Sequence, residues 1–500
     1  MRAAKGPVLC GLSGAAAVAL LAACGSGGSQ TAPEPPPPPA STAVTLMVTS
    51  TANDQLSEFG LALQGITLTR SDGKSVTLRS AATSQGAEFI HVNSGAEPLL
   101  TASIPSGIYT AAAVTVGGAS FTCVTLLSAS PNTGTLDTST YAYGQTPASS
   151  VTVSLPAPIN VQGEGTGLAL NLLVTPSASY AQCGTTGAPY AITPTFSLTS
   201  FPLPAAPGSS QGYGVVTALP GLISSLDPVS GSFELQLSPQ SSTNQATTVR
   251  VTSDNGTVWQ GIAAFAALGT GTFVDLDATV QADGSLAATR IAVADPAAVN
   301  VHRGPLLQVA SGAPILQVLP RQAQGADLVV DVEAFRFDSS AFRISGEMSN
   351  LASMPFTPGF DAANMVPGQN VAVSSGAFVF TGSYYASATT ITLMPQTING
   401  QVLGMSSTGG FTVYSVALAP YDLFPNLATQ PGQTTLLTDP GTVQVYVGND
   451  TAVRSSSPPA PGAELRFYGL VFNDHGILRM DCAAVSDGVT GSSQTASPGT

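Results

Sequence analysis

Charged side chains are scarce in this chain. Its 14 Lys and Arg and 28 Asp and Glu make up 8% of 500 residues, where an average soluble protein carries about 25%. That scarcity excludes a charge-rich disordered chain and a coiled coil with charged flanking positions. The formal charge of -14 works against a polyanionic partner, because phosphate neutralisation needs clustered Lys and Arg, so no nucleic acid is expected. Histidine is limited to His91, His302 and His475, tryptophan to Trp259, and there are five Cys. No His-Glu-x-x-His, paired Cys-x-x-Cys or Gly-x-Ser-x-Gly pattern occurs. The common zinc and serine-hydrolase signatures are therefore missing, and no catalytic residue or cofactor is assigned. Long helices are disfavoured too, since 52 Gly and 38 Pro suit short strands joined by turns.

In place of charge the chain has apolar residues, 43% of the total, and a mean hydropathy of +0.28. Part of this excess lies at the start. Arg2 and Lys5 precede an apolar stretch from Val8 to Ala23 that reads as a secretory signal over residues 1–23. It contains Gly11 and Gly14 and is shorter than the roughly 20 apolar residues of a membrane-spanning helix. Its end, Leu21-Ala22-Ala23-Cys24-Gly25, resembles the lipobox of bacterial lipoproteins. The resemblance implies cleavage before Cys24, a diacylglyceryl group on its sulfur and a membrane partner through the lipidated N-terminus. Added acyl chains anchor by roughly 0.8 kcal/mol per buried methylene. Gly25 after the Cys resembles lipoproteins sent to the outer membrane of a Gram-negative host. Removing Arg2 and Lys5 leaves a mature charge of about -16, which opposes lying flat on an anionic surface. Residues 24–40, with Pro35 to Pro39, read as an extended tether reaching roughly 50 Å.

Residues 41–200 alternate like an antiparallel β protein. Val151, Val153 and Leu155 line one strand face, and Gly167 to Val174 reads as a more deeply buried strand. Ser71-Asp72-Gly73-Lys74 is a hairpin turn; Gly73-Lys74-Ser75 imitates the end of a P-loop, but Leu68 stands where its first Gly belongs. A Pro, Ala, Gly and Ser-rich linker follows at 201–211. The second half repeats. Asp283-Gly284-Ser285-Leu286 matches His475-Gly476-Ile477-Leu478 at an offset of about 190 residues, and a looser copy begins near Gly304-Pro305-Leu306 and passes through Pro367-Gly368-Gln369-Asn370-Val371. Three tandem β modules are expected, at 212–297, 300–396 (divergent) and 397–487, before a disordered tail at 488–500.

Two further resemblances sharpen the fold. Val44-Thr45-Leu46, Leu63-Gln64-Gly65-Ile66-Thr67-Leu68, Ile104-Pro105-Ser106-Gly107-Ile108-Tyr109 and Tyr190-Ala191-Ile192-Thr193-Pro194 resemble the bacterial family known as domain of unknown function 4382, which implies a β-sandwich. Gly269 to Val293 resembles domain of unknown function 5666, which implies small OB-like or Greek-key barrels. The expected fold is all-β: an N-terminal β-sandwich followed by tandem small barrels.

The best pair of carboxylates is Asp275 and Asp277, alternating with Val274, Leu276 and Ala278. Both acids are expected on a solvated strand face, with weak calcium binding as the alternative. The three histidines are expected at the surface or in turns, and turn acids such as Asp72, Asp283, Asp450 and Asp474 to serve local backbone bonding. Cys482 reads as a buried free thiol. These features point to a non-enzymatic, lipid-anchored scaffold or binding protein of the cell envelope with protein or glycan contacts. A hydrolase of extracellular polymers and an accessory lipoprotein of an outer-membrane assembly remain alternatives. Export places Cys123 and Cys183 in an oxidising compartment, where they are expected to pair. The loop of about 60 residues is worth roughly 4 kcal/mol in the chain-entropy account. Peptide mapping without reduction is expected to recover Cys123 and Cys183 on one linked fragment; two separate alkylatable thiols would exclude the bond.

Overall fold

The structure is a computed structural model that describes residues 40–51, 58–79, 85–93, 95–126, 138–143, 149–162, 165–173, 194–203, 212–237, 247–310, 312–325, 333–345, 351–377, 379–380, 384–419, 422–429, 437–455 and 458–488. It is almost entirely β, as the alternation predicts. The signal, the tether, the 488–500 tail beyond Gly488, and Cys24 and Cys183 fall outside the described residues, as does the side chain of Cys123.

The N-terminal part is built from β1 (Ser41–Ser50), β2 (Glu58–Arg70), β3 (Ser75–Arg79), β4 (Gln85–Glu88), β5 (Glu97–Pro105) and β6 (Gly107–Leu126). It continues with β7 (Thr138–Tyr143), β8 (Ser149–Val153), β9 (Ile159–Val161), β10 (Thr166–Leu172) and β11 (Phe196–Pro202). One sheet has the order β11-β10-β1-β5; the other is β3-β2-β6-β7, with β4 on β2 and with β8 and β9 on β6. Their inner faces share one core, in which Val44, Leu46 and Val48 of β1 meet Leu61, Leu63 and Val114 of the opposite sheet. β1 is also buried on its outer face, where Met47 joins the core of the following module. The expected linker at 201–211 begins too early, because β11 runs through Pro202 and Phe201 packs against that same core.

Each of the next three sheets is a barrel of one topology. The first contains β12 (Val215–Asp227), β13 (Ser232–Gln236), β14 (Thr248–Thr252), β15 (Val258–Gln260), β16 (Phe273–Val280) and β17 (Leu286–Ala292). β12, β13 and β14 form an antiparallel meander, β16 and β17 a hairpin on β12, and a parallel pairing of β14 with β17 closes the ring. The second contains β18 (Asn300–Val309), β19 (Ile315–Val318), β20 (Gln322–Gly325), β21 (Glu333–Arg336), β22 (Ala341–Ile344), β23 (Asn370–Ser375), β24 (Val379–Phe380) and β25 (Tyr384–Leu393). Here β18-β19-β21-β25-β23 is the ring, closed by the parallel pair β21–β25 and the return of β23 to β18. The third is the closed barrel β26 (Gln396–Thr408), β27 (Phe411–Leu418), β28 (Thr442–Val453), β30 (Ile477–Asp487) and β29 (Glu464–Asp474), with α1 (Leu423–Ala428) between β27 and β28. Numbering the ring strands along the chain, all three barrels follow 1-2-3-5-4-1, the order of an OB-type Greek-key barrel.

The same device lets the first strand coil tightly in each barrel. Gly221 pairs with Val274, Gly304 with Val371 and Gly400 with Leu465. A Cβ would overlap Leu235 at the first, the Leu319 carbonyl at the second and the Ala417 carbonyl at the third. At Gly304 and Gly400 the obstacle is backbone and only hydrogen fits, whereas at Gly221 it is the Leu235 side chain. Gly400→Val is therefore expected to lower stability by about 3 kcal/mol, read as an earlier unfolding transition in a denaturant titration.

Candidate functional site

Asp275 and Asp277 alternate along β16 with buried Val274, Leu276 and Ala278, so both point out of the first barrel. They are largely covered there, and the expected solvated face is corrected by what covers it. Asp277 Oδ2 accepts from Arg290 Nε at 2.6 Å and Oδ1 from Arg290 Nη2 at 2.9 Å, a bidentate pair across the β16–β17 hairpin. Asp275 Oδ1 lies 2.5 Å from Nη2 of Arg303, which comes from β18 of the next barrel. Side-chain exposure is 14% and 12% for the acids, and 5% and 9% for their arginines. The calcium alternative is corrected likewise, because a guanidinium already stands where each carboxylate would need a cation.

Between the two pairs sits Ala218, with φ of +48°. Its N–H donates to Asp277 Oδ1 at 2.8 Å and its carbonyl accepts from Arg303 Nη1 at 3.2 Å. It occupies the register break of β12 against β16, and a left-handed Ala costs roughly 1–2 kcal/mol. Glycine would relieve that cost. The methyl group, however, packs with Phe273, Val301, Ala372 and Met394 in the small apolar seam between the first two barrels.

The sandwich reaches the same place through its 89–97 segment. Glu97 Oε1 lies 3.0 Å from His91 Nε2 and accepts from Gln322 Nε2 of β20 at 3.2 Å. Thr397 Oγ1 of β26 donates to the Asn93 carbonyl at 3.0 Å, and Arg466 Nη1 of β29 to Asn93 Oδ1 at 3.0 Å. Burial draws the Arg466 guanidinium below its usual pKa, with Tyr213 and Asp487 opposing the shift. Where the four modules meet there is a cavity of about 80 Å³, lined by His91, Glu97, Ala218, Arg303, Arg321 and Asn370 among others, room for a few waters.

The remaining candidates are scattered. His302 is fully buried against the Phe335 ring at 5.5 Å, and His91 is largely buried in its pair with Glu97. Both correct the expectation of surface or turn histidines, because His302 faces Phe335 within its own barrel and His91 lines the cavity at the module junction. His475 does lie in a turn, at φ +52° with Gly476 after it and Asp474 Oδ1 2.8 Å from its ring. Asp72 and Asp283 accept from backbone N–H groups of Lys74 and Ser285, whereas Asp474 pairs with Arg479 at 2.7 Å. Cys482 is buried, its thiol donating to the Ala484 carbonyl at 3.3 Å. Burial, with Asp481 adding to it, pushes its pKa far up and keeps it protonated. Among the described residues no group of three or more His, Cys, Asp and Glu is placed to hold a metal ion.

Sequence reasoning missed Arg290, Arg303 and Ala218. Arg290 stands opposite Asp277 because a register shift breaks the β16–β17 ladder between Asp277 and Ala278, which counting back from the Asp283-Gly284 turn does not reveal. Nothing local marks Arg303 as the partner of an acid in another barrel. No protein-family model matches the chain, and no curated protein matches it.

The arrangement fixes backbone and joins modules: one carboxylate holds three donors, and one guanidinium bridges two barrels. Asp277→Ala is expected to destabilise by about 3 kcal/mol or more, since it strands a buried guanidinium, and Asp277→Ala with Arg290→Met to recover most of that loss. Urea unfolding of the single and double variants checks both.

Proposed function

We propose that this chain is a non-enzymatic, lipid-anchored protein of the bacterial cell envelope, a scaffold that carries a β-sandwich and three barrels as one binding surface. The observation that carries the reading is the four-module junction. Glu97 of the sandwich bonds to the second barrel and Asn93 to the third, and Arg303 of the second bonds to Asp275 and to Ala218 of the first. Modules joined by such contacts keep fixed spacing, which serves presentation of a surface; domains hinged on free linkers do not. The anchor follows from the lipobox-like Leu21-Ala22-Ala23-Cys24 and the proline-rich tether behind it. On this reading the partners are the membrane, through Cys24, and an envelope protein or glycan on the exposed faces.

Labelled palmitate is expected to enter the wild-type protein and to be lost in Cys24→Ala. That variant should move to the soluble fraction with its thermal unfolding unchanged. Label retained in the variant would sink the anchor.

A further inference from the structure

In each barrel the first strand pairs with the fourth along its early half and with the second along its late half. The late half is therefore left with one edge that the ring does not use. In the first barrel that edge runs into Asp227 and Pro228, a charge and a residue without an N–H. In the second barrel the stretch 307–309 is buried, and Leu423 and Leu427 of α1 pack with Leu307. In the third it is longer and open. Val402 N–H donates to the Ala463 carbonyl, and Gly462 N–H to the Val402 carbonyl. Upstream of these stand Pro461, Pro459 and Pro458, which have no N–H to offer a ladder. Beyond Val402 no strand pairs with the outer side of β26 among the described residues, and Leu403 and the run from Met405 to Thr408 are exposed.

The alternation of the ladder tells which backbone groups face that edge. Leu418 N–H donates to the Gly441 carbonyl on the β28 side, so Ala417, Ser415, Val413 and Phe411 turn their backbone groups toward β26. Their partners Gly404, Ser406 and Thr408 are bonded to β27. Thr408 and Phe411 close a tight turn through Gly409 and Gly410, at φ +57° and +87°. The N–H and C=O groups of Met405 and Ser407 therefore point outward, along the open edge. The second barrel braces this hairpin. Its Met354 packs with Phe411 and Tyr446, its Phe356 ring lies 5.1 Å from that of Tyr446, and a Cβ at Gly409 would stand 3.6 Å from Pro355.

We infer that this edge pairs antiparallel with the same edge of a second copy, about a twofold axis at Ser406. Folded proteins guard exposed edges with charge, Pro or a covering element. This one has none of them: no residue between Asp361 and Asp422 is charged, and none from Gln396 to Ala419 is Pro. On a chain of formal charge -14, an uncharged strand is where two copies meet without like charges in register. The strand also complements itself. With Ser406 opposite its mate, Met405 and Ser407 stand opposite each other and exchange both of their outward bonds. Gly404 then stands opposite Thr408, so each larger side chain meets a smaller one across the axis. The exposed Leu403 lies at the end of the pairing, beside the glycine turn of the second copy. The paired stretch is shorter than a standard interface, so the dimer depends on concentration. The pairing goes beyond the anchored-scaffold reading and does not rest on it.

The test uses the full chain in detergent. Sedimentation velocity should show a dimer that dissociates on dilution. Ser406→Cys should form a disulfide-linked dimer under mild oxidation, since the two positions meet directly across the axis. Val229→Cys, at a site 98% exposed on the first barrel, controls for chance collision and should stay monomeric on a non-reducing gel. Ser407→Pro removes an N–H that the β26–β27 ladder does not use. It should abolish the dimer, and the cross-link of Ser406→Cys, with the melting temperature unchanged. If that variant fails to fold, Met405→Lys should weaken the dimer about tenfold by setting two cations on a diagonal across the axis. A monomer at every concentration, cross-linking of Ser406→Cys no faster than of Val229→Cys, or a dimer indifferent to these substitutions would each overturn the inference. Amide exchange at Met405 and Ser407 separates the other occupants. It should slow as protein concentration rises. Full protection in the dilute monomer would mean cover by this same chain, and protection only on adding an uncharged peptide would mean a foreign strand. Either result would overturn the second copy as the occupant.

Discussion

Asp277 holds the centre of the molecule. Both carboxylate oxygens are taken by Arg290 and one of them also by the N–H of Ala218, and this fixes a backbone kink that no strand would adopt unaided. Ala218 in turn presents its carbonyl to Arg303, which brings the second barrel and its own acid, Asp275, to the same seam. A bidentate guanidinium–carboxylate pair is directional, so it sets angles as well as distances. The seam between the first two barrels is small and apolar, and an apolar seam alone specifies orientation weakly.

The low charge content makes this economy intelligible. With so few cations in the chain, several do specific work at module boundaries: Arg303 between the first two barrels, Arg466 between the sandwich segment and the third barrel, Arg479 between the ring of Phe356 from the second barrel and that of Tyr446 in the third. Buried ion pairs contribute less net stability than their geometry suggests, because desolvation offsets attraction. What they supply is register between modules, since a guanidinium stranded by a misplaced partner is costly.

The same ring topology appears three times, and unlike copies meet where Met354 and Phe356 of the second barrel pack on Phe411 and Tyr446 of the third.

The period-two placement of Val151, Val153 and Leu155, the turn at Asp72-Gly73 and the recurrence of Asp283-Gly284 as His475-Gly476 were all readable in the chain, because strands and hairpin turns depend on residues close in sequence. From these the all-β class follows. The solvated face assigned to Asp275 and Asp277 was wrong for a reason of the same kind: alternation tells which side of a strand a residue takes and is silent on what lies against that side. His302 failed for another reason, because its ring lies against Phe335 within its own barrel. The sequence by itself determined strands, turns and the repeat. Tertiary structure decided which outward faces became interfaces and which stayed open, since that depends on which module packs against each face, as the second barrel's Arg303 does against Asp275 of the first.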